Sequence, residues 1–179
     1  LPKANLVGAA PRLRRRARFG ISLVAVMLGL AAEGGAPVRA ADAEATVDWV
    51  AAPIVAARSG RRVVITVRGT IRDGWHVYGL KQAANGPTPL RVSLDPNAVA
   101  RADGAASGSS SINAFDPAFG FVTPTHAHAV SLTVPVRLRA GLAPGRQQVP
   151  VTIRYQSCDG RICLPPRTVH IAAPVEIVA

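Results

Sequence analysis

The stretch Ala129-Val130-Ser131-Leu132-Thr133-Val134-Pro135-Val136-Arg137-Leu138 places an aliphatic residue at every second position. Successive side chains of an extended strand point to opposite faces, so Val130, Leu132, Val134, Val136 and Leu138 line one face and require cover. Val149, Val151, Ile153 and Tyr155 repeat the pattern, as do Val63, Ile65 and Val67 within Arg61–Arg68. Val169 with Ile171 and Val175 with Ile177 form a last strand, which Pro174 is expected to interrupt. Shorter candidates are Val47–Ala57, Trp75–Leu80 and Leu90–Leu94. Turn chemistry bounds them: Asp73-Gly74, Asn85-Gly86-Pro87, Asp95-Pro96-Asn97 and Ala143-Pro144-Gly145. No convincing amphipathic helix follows Ala41. Six to eight one-faced strands bury their apolar sides most economically as an antiparallel β-sandwich.

The chain has 179 residues, 21 Lys+Arg, 10 Asp+Glu and two Cys. That length suits one ordinary domain. Two cysteines are too few for a disulfide-scaffolded miniprotein or a zinc ribbon. The formal charge of +11 is concentrated at the front. Lys3, Arg12, Arg14, Arg15, Arg16, Arg18 and Arg39 stand against Glu33 alone in residues 1–40, leaving 14 basic and 9 acidic groups in 41–179. So mild a balance does not call for a nucleic acid partner.

The Arg12–Arg18 cluster precedes Phe19–Ala32, about a dozen apolar residues, fewer than the roughly 20 that span a bilayer. Small residues follow, ending at Val38-Arg39-Ala40. This order predicts a secretory signal peptide over 1–40, cleaved after Ala40, and a mature domain over 41–179 in an oxidising, extracytoplasmic compartment. No Cys lies near that cleavage site, which argues against a lipoprotein anchor, and no later stretch is expected to span a membrane.

Ala98–Asn113 is small, polar and Ser/Gly-rich, long for a loop in a compact domain. It reads either as a tolerated insertion or as a mobile loop beside a binding site. Phe115, Phe119 and Phe121 follow, three of the four Phe in the chain. Exposing all three is costly unless they cover something.

Both cysteines lie in Tyr155-Gln-Ser-Cys158-Asp-Gly-Arg-Ile-Cys163-Leu-Pro-Pro166. Asp159-Gly160 is a hairpin-turn dipeptide, and facing positions of such a turn lie near disulfide distance. A six-residue loop gains roughly 2 kcal/mol from its bridge on a chain-entropy argument, which a sandwich with its own core does not need. Arg161 favours a thiolate by charge and Asp159 opposes it. Spacing alone leaves three readings open: a structural disulfide, a redox site, or a metal site that recruits His76, His126, His128 or His170. His126-x-His128 puts both rings on one face if that stretch is a strand.

The twelve-residue string from Tyr155 to Pro166 resembles the active-site hairpin of the N-terminal periplasmic domain of the thiol:disulfide interchange protein DsbD. The family pattern is Tyr-Gln-x-Cys, a short turn, Cys, an aromatic or apolar residue, then Pro-Pro. Asp73-Gly-Trp-His-Val-Tyr78 resembles its Asp-Gly-aromatic strand. Phe119-Gly120 stands where the family has an aromatic-Gly step in a cap loop. These matches run in family order over about 45–178.

The resemblance implies an immunoglobulin-like antiparallel β-sandwich and a protein-disulfide-reductase type of exchange component that uses no cofactor and no metal. The implied electron donor is a thioredoxin-like partner. Implied clients are periplasmic thiol–disulfide proteins such as disulfide isomerases and cytochrome c maturation factors. Cys163 is implied to form mixed disulfides and Cys158 to resolve them, with Phe119, or alternatively Phe115, as the cap. Four residues separate the cysteines where some relatives have five. The membrane-embedded and thioredoxin-like regions of the full-length pattern are not in this sequence, so the expectation is a stand-alone domain with separately encoded partners, or one adapted to another task. The competing reading is a non-catalytic, protein-binding sandwich with a structural disulfide.

Overall fold

The computed structural model of the protein describes residues 45–179, so the expected signal peptide over 1–40 lies outside the described residues. Among the described residues there is no helix, and therefore none long and apolar enough to cross a membrane.

The alternating stretches form the core as expected. Strand β1 (Val47–Ala51) pairs with β3 (Arg62–Ile71), and β3 pairs with β10 (Ala129–Leu138), all antiparallel. The second sheet runs β2 (Ile54–Arg58), β13 (Arg167–Val178), β11 (Gly145–Tyr155), β5 (Arg91–Leu94). Val130, Leu132, Val134, Val136 and Leu138 of the first sheet share one buried cluster with Val149, Val151, Ile153, Tyr155, Val175 and Ile177 of the second. Trp49 crosses the layer edge-on to Tyr155, with ring centroids 5.5 Å apart. Its ring lies over Gly69, its register partner, where an added Cβ would come within 2.7 Å of the indole.

Four features depart from the sequence reading. Val47–Ala57 is two strands in different sheets, because the chain turns at Ala52-Pro53 and crosses from one layer to the other. The last strand is continuous through Pro174. Antiparallel pairing with β11 runs from Gly145↔Ile177 to Tyr155↔Arg167, and the parallel ladder to β2 engages Val175, Ile177 and Val178 only. Pro174 thus stands just outside that second ladder, where a missing N–H costs little. The segment Ala98–Asn113 is tied down: β6 (Ala100–Ala102) and β7 (Ser107–Gly108) both pair with β10.

The fourth departure carries the site. A third sheet joins β12 (Ser157–Cys158), β4 (His76–Tyr78), β9 (Phe121–Ala127) and β8 (Ile112–Asp116). The Phe-rich segment is therefore a β8–β9 hairpin whose turn is Pro117–Gly120, with Gly120 at φ 75°.

Candidate functional site

Cys158 closes β12 and is bonded to Cys163, and their Cα atoms lie 4.1 Å apart. The loop between them is organised by Asp159. Its Oδ1 accepts the backbone N–H groups of Arg161 (2.8 Å) and Ile162 (2.9 Å), and its own N–H reaches the Ile162 carbonyl (3.2 Å). Hydrogen bonds from Ile162 and then Arg161 hold this exposed carboxyl below the usual carboxylate range. Asp159 thus serves its own turn, and Gly160 supplies a φ of 88°. Outside the loop, the Leu164 N–H donates to the Ser157 carbonyl, and the Ser157 hydroxyl meets that of Thr46 at 2.7 Å, both residues buried.

Register decides what faces the disulfide. Cys158 pairs with His76, His76 with Ala127, and Tyr78 with Thr125. Register partners share a face, so Cys158, His76 and Tyr78 lie on the same side of the third sheet. Tyr78 is fully buried, and its hydroxyl lies 2.8 Å from Sγ of Cys158 and 3.5 Å from Sγ of Cys163. The same hydroxyl donates to Oδ2 of Asp116 at 2.6 Å. One proton cannot serve all of them, and a carboxylate is the strongest acceptor present. Burial, and then the hydrogen bond to Asp116, push the phenol far above its ordinary range, so Tyr78 stays protonated.

Asp116 is 2% exposed, and His76 Nε2 stands 3.8 Å from its Oδ2. Its Oδ1 accepts the Ala118 N–H at 2.9 Å, and its backbone carbonyl accepts from Phe119 and Gly120. One residue therefore fixes both the tyrosine beside the sulfurs and the turn that carries Phe119.

The two sulfurs are unequal. Cys158 is 1% exposed, whereas Cys163 is only half-buried. Phe119 packs edge-on to Tyr78 (centroids 5.9 Å) and against Phe121 (6.2 Å). Phe115 is 65% exposed and lines a groove of about 280 Å³ with His76, Asp116, Asp159 and Gly160.

The histidines do not converge. β9 ends at Ala127 and His128 turns the chain at φ 63°, so the rings of His126 and His128 do not share a strand face. His128 is exposed near Asp73, and His170 lies on the second sheet beside Thr152 and Asp95. Among the described residues no group of three or more His, Cys, Asp or Glu is placed to hold a metal ion.

Sequence reasoning quoted Tyr78 only as a landmark and gave Asp116 no role. Strand alternation could place Tyr78 on the same face as His76. Nothing local in Phe-Asp-Pro distinguishes a buried carboxylate from an exposed turn residue.

The family model described as "Thiol:disulfide interchange protein DsbD, N-terminal" matches residues 43–174. The fold is the immunoglobulin-like β-sandwich of that family. No curated protein matches the chain in sequence. Among solved structures, AggA, the major subunit of aggregative adherence fimbriae type I from Escherichia coli, is similar at 10% identity and a TM-score of 0.36, over 74% of this chain and 94% of that one.

Proposed function

The chain belongs to the family of the N-terminal domain of the thiol:disulfide interchange protein DsbD, and on that premise we propose that it is a periplasmic exchange module that draws electrons from a thioredoxin-like partner and reduces client disulfides through Cys158 and Cys163. The observation that carries this reading is the asymmetry of the pair: a half-buried Cys163 bonded to a buried Cys158 that has a hydroxyl 2.8 Å from its sulfur.

A partner thiolate attacks Sγ of Cys163. The Cys158–Cys163 bond breaks, a mixed disulfide forms on Cys163, and the electron pair leaves on Sγ of Cys158. The Tyr78 hydroxyl, whose proton rests on Asp116 while the disulfide is intact, turns to donate to that sulfur as it becomes a thiolate, and the sulfur takes up a proton in place of the one the attacking thiol released. The partner's second thiolate then attacks its own sulfur in the mixed disulfide and expels Cys163 as a thiolate, which is protonated in turn. The partner dithiol is oxidised, the Cys pair is reduced, and two electrons and two protons have moved. With a client the sequence reverses: Cys163 attacks the client disulfide, Cys158 resolves the mixed disulfide, and the client leaves as a dithiol. Disulfide isomerases and cytochrome c maturation factors are the client classes the family suggests. Phe119 caps the pair in the absence of a partner, a role supported by its packing on Tyr78 and better suited to it than to the exposed Phe115.

Equilibration against thiol buffers tests the reading. An exchange module has a potential within reach of thioredoxin-like proteins, and a structural bridge lies below about −300 mV. A value below that limit overturns the proposal in favour of the non-catalytic sandwich. Cys158→Ser should trap a mixed disulfide on Cys163, and Cys163→Ser should not. Export is tested by mass spectrometry of the secreted protein, where retention of residues 1–40 would overturn cleavage after Ala40.

A further inference from the structure

The serine run Ser107–Ser111, which composition reads either as a tolerated insertion or as a mobile loop beside a binding site, is tied to β10 through Ser107 and Ser109. The Ser109 N–H donates to the Ser131 carbonyl (2.8 Å), the Ser131 N–H returns to Ser109 Oγ (3.2 Å), and the Ser107 hydroxyl meets Thr133 Oγ1 at 2.7 Å. Together with Leu80, Lys81, Arg91, Ala106, Pro124 and His126, this run lines an open cavity of about 660 Å³. That volume falls within the range of small-molecule sites, roughly 300–1,000 Å³. His126 is the register partner of Val77, whereas Cys158, His76 and Tyr78 occupy the alternate positions. The cavity therefore lies behind the sheet that carries the disulfide, separate from the redox face.

The lining is one-sided in charge. It contains two cations, Lys81 and Arg91, and no acidic residue. Neither cation has an ion-pair partner among the described residues; Arg91 makes one long bond, 3.3 Å, to the Leu80 carbonyl. Ser109 accepts at its oxygen and keeps its own O–H proton to donate, and the hydroxyls of Ser110 and Ser111 make no hydrogen bond among the described residues. His126 is 4% exposed, and its buried Nε2 has no hydrogen-bond partner among the described residues. Leu80, Ala106 and Pro124 supply apolar wall. Lys81 and Arg91 are exposed at the rim, so their charge repels a cationic ligand and is left unused by a purely apolar one. Oxygen acceptors carrying negative charge satisfy the ammonium, the guanidinium and the hydroxyls together.

We propose that this cavity binds a small organic oxyanion, a phosphate or carboxylate head on an apolar body, with the head between Lys81, Arg91 and the hydroxyls of Ser109, Ser110 and Ser111, and the body against Leu80, Ala106, Pro124 and the His126 ring. Binding requires no thiol chemistry and stands or falls separately from the exchange reaction.

Phenyl phosphate and benzoate titrated into the oxidised protein, followed by NMR at constant ionic strength, test the site; phenol is the neutral control with the same body. The expected result is a saturable shift of Ser109–Ser111 and His126 resonances with at least one of the two anions, and none with phenol. The anion that binds more tightly identifies the head. K81Q/R91Q should weaken that binding by about tenfold or more, since charge-assisted bonds are lost. Its urea midpoint should stay at the wild-type value, because both side chains are exposed. Binding to a C158S/C163S variant should equal that of the wild type, so a failure of the redox reading leaves this measurement intact. No saturable shift with either anion, or equal affinity in K81Q/R91Q, overturns the proposal.

Discussion

Replacing Tyr78 by Phe removes a single oxygen from a side chain that is otherwise fully buried. The lost hydroxyl donates to Asp116 Oδ2 at 2.6 Å and touches Cys158 Sγ at 2.8 Å. Asp116 is itself 2% exposed, so water does not replace the lost donor. His76 Nε2 stands 3.8 Å from that oxygen, beyond hydrogen-bond distance. A hydrogen bond to a buried charged acceptor contributes about 1.5–3 kcal/mol. Taking about 2 kcal/mol with a urea slope of about 2 kcal/mol/M, the midpoint of the oxidised protein should fall by about 1 M with the slope unchanged. Asp116→Ala should also destabilise, and the double variant should cost less than the sum of the two, with a coupling of about 1.5–3 kcal/mol for residues sharing one bond. In the same Tyr78→Phe protein, reduction by dithiothreitol should slow by about tenfold if the departing Cys158 thiolate loses roughly 1.4 kcal/mol of stabilisation. A midpoint shift below about 0.2 M, on the same slope, or strictly additive single variants, would show that the hydroxyl does not serve Asp116. An unchanged reduction rate would remove it from the exchange step.

Three further outcomes follow from the same geometry. Phe119→Ala should speed reduction of the disulfide by a small thiol, and by less for a protein partner that opens the turn on docking; unchanged small-thiol rates in both Phe119→Ala and Phe115→Ala would make the β8–β9 turn a bystander. Reduction of Cys158–Cys163 should leave the far-ultraviolet circular dichroism nearly unchanged at room temperature, because the six-residue loop contributes only roughly 2 kcal/mol beside a two-sheet core; unfolding on reduction would make the bridge structural. Burial holds His126 below the ordinary histidine value of 6.5, so the unfolded chain takes up a proton that the folded one resists. Its contribution to stability is complete above that value and declines as pH falls below it. Urea midpoints should therefore drop on acidification, less steeply in His126→Gln, and an equally steep drop in that variant would place the titration elsewhere.

The sandwich was legible because its signal is local. Alternation in Ala129–Leu138 and Val149–Tyr155 names the buried face residue by residue, and the structure buries Val130, Leu132, Val134, Val136, Leu138, Val149, Val151, Ile153 and Tyr155. That Cys158 and Cys163 are able to bridge was also readable, since a turn dipeptide and five positions of separation bring them together, although spacing alone left a metal site open beside a disulfide. The tertiary structure alone decided what surrounds that bond. Tyr78 and Asp116 are 38 positions apart, and Tyr78 and Cys158 are 80 apart. They meet because β4 pairs with both β9 and β12, a choice made by long-range backbone ladders. Composition left the serine run open between an insertion and a mobile loop for the same reason: small polar residues carry no hydrophobic period, and their order comes from the edge of β10 that they join. Hydrophobic periodicity reports which side of a strand is buried and is silent on which strand lies beside it, and this site is built from neighbours.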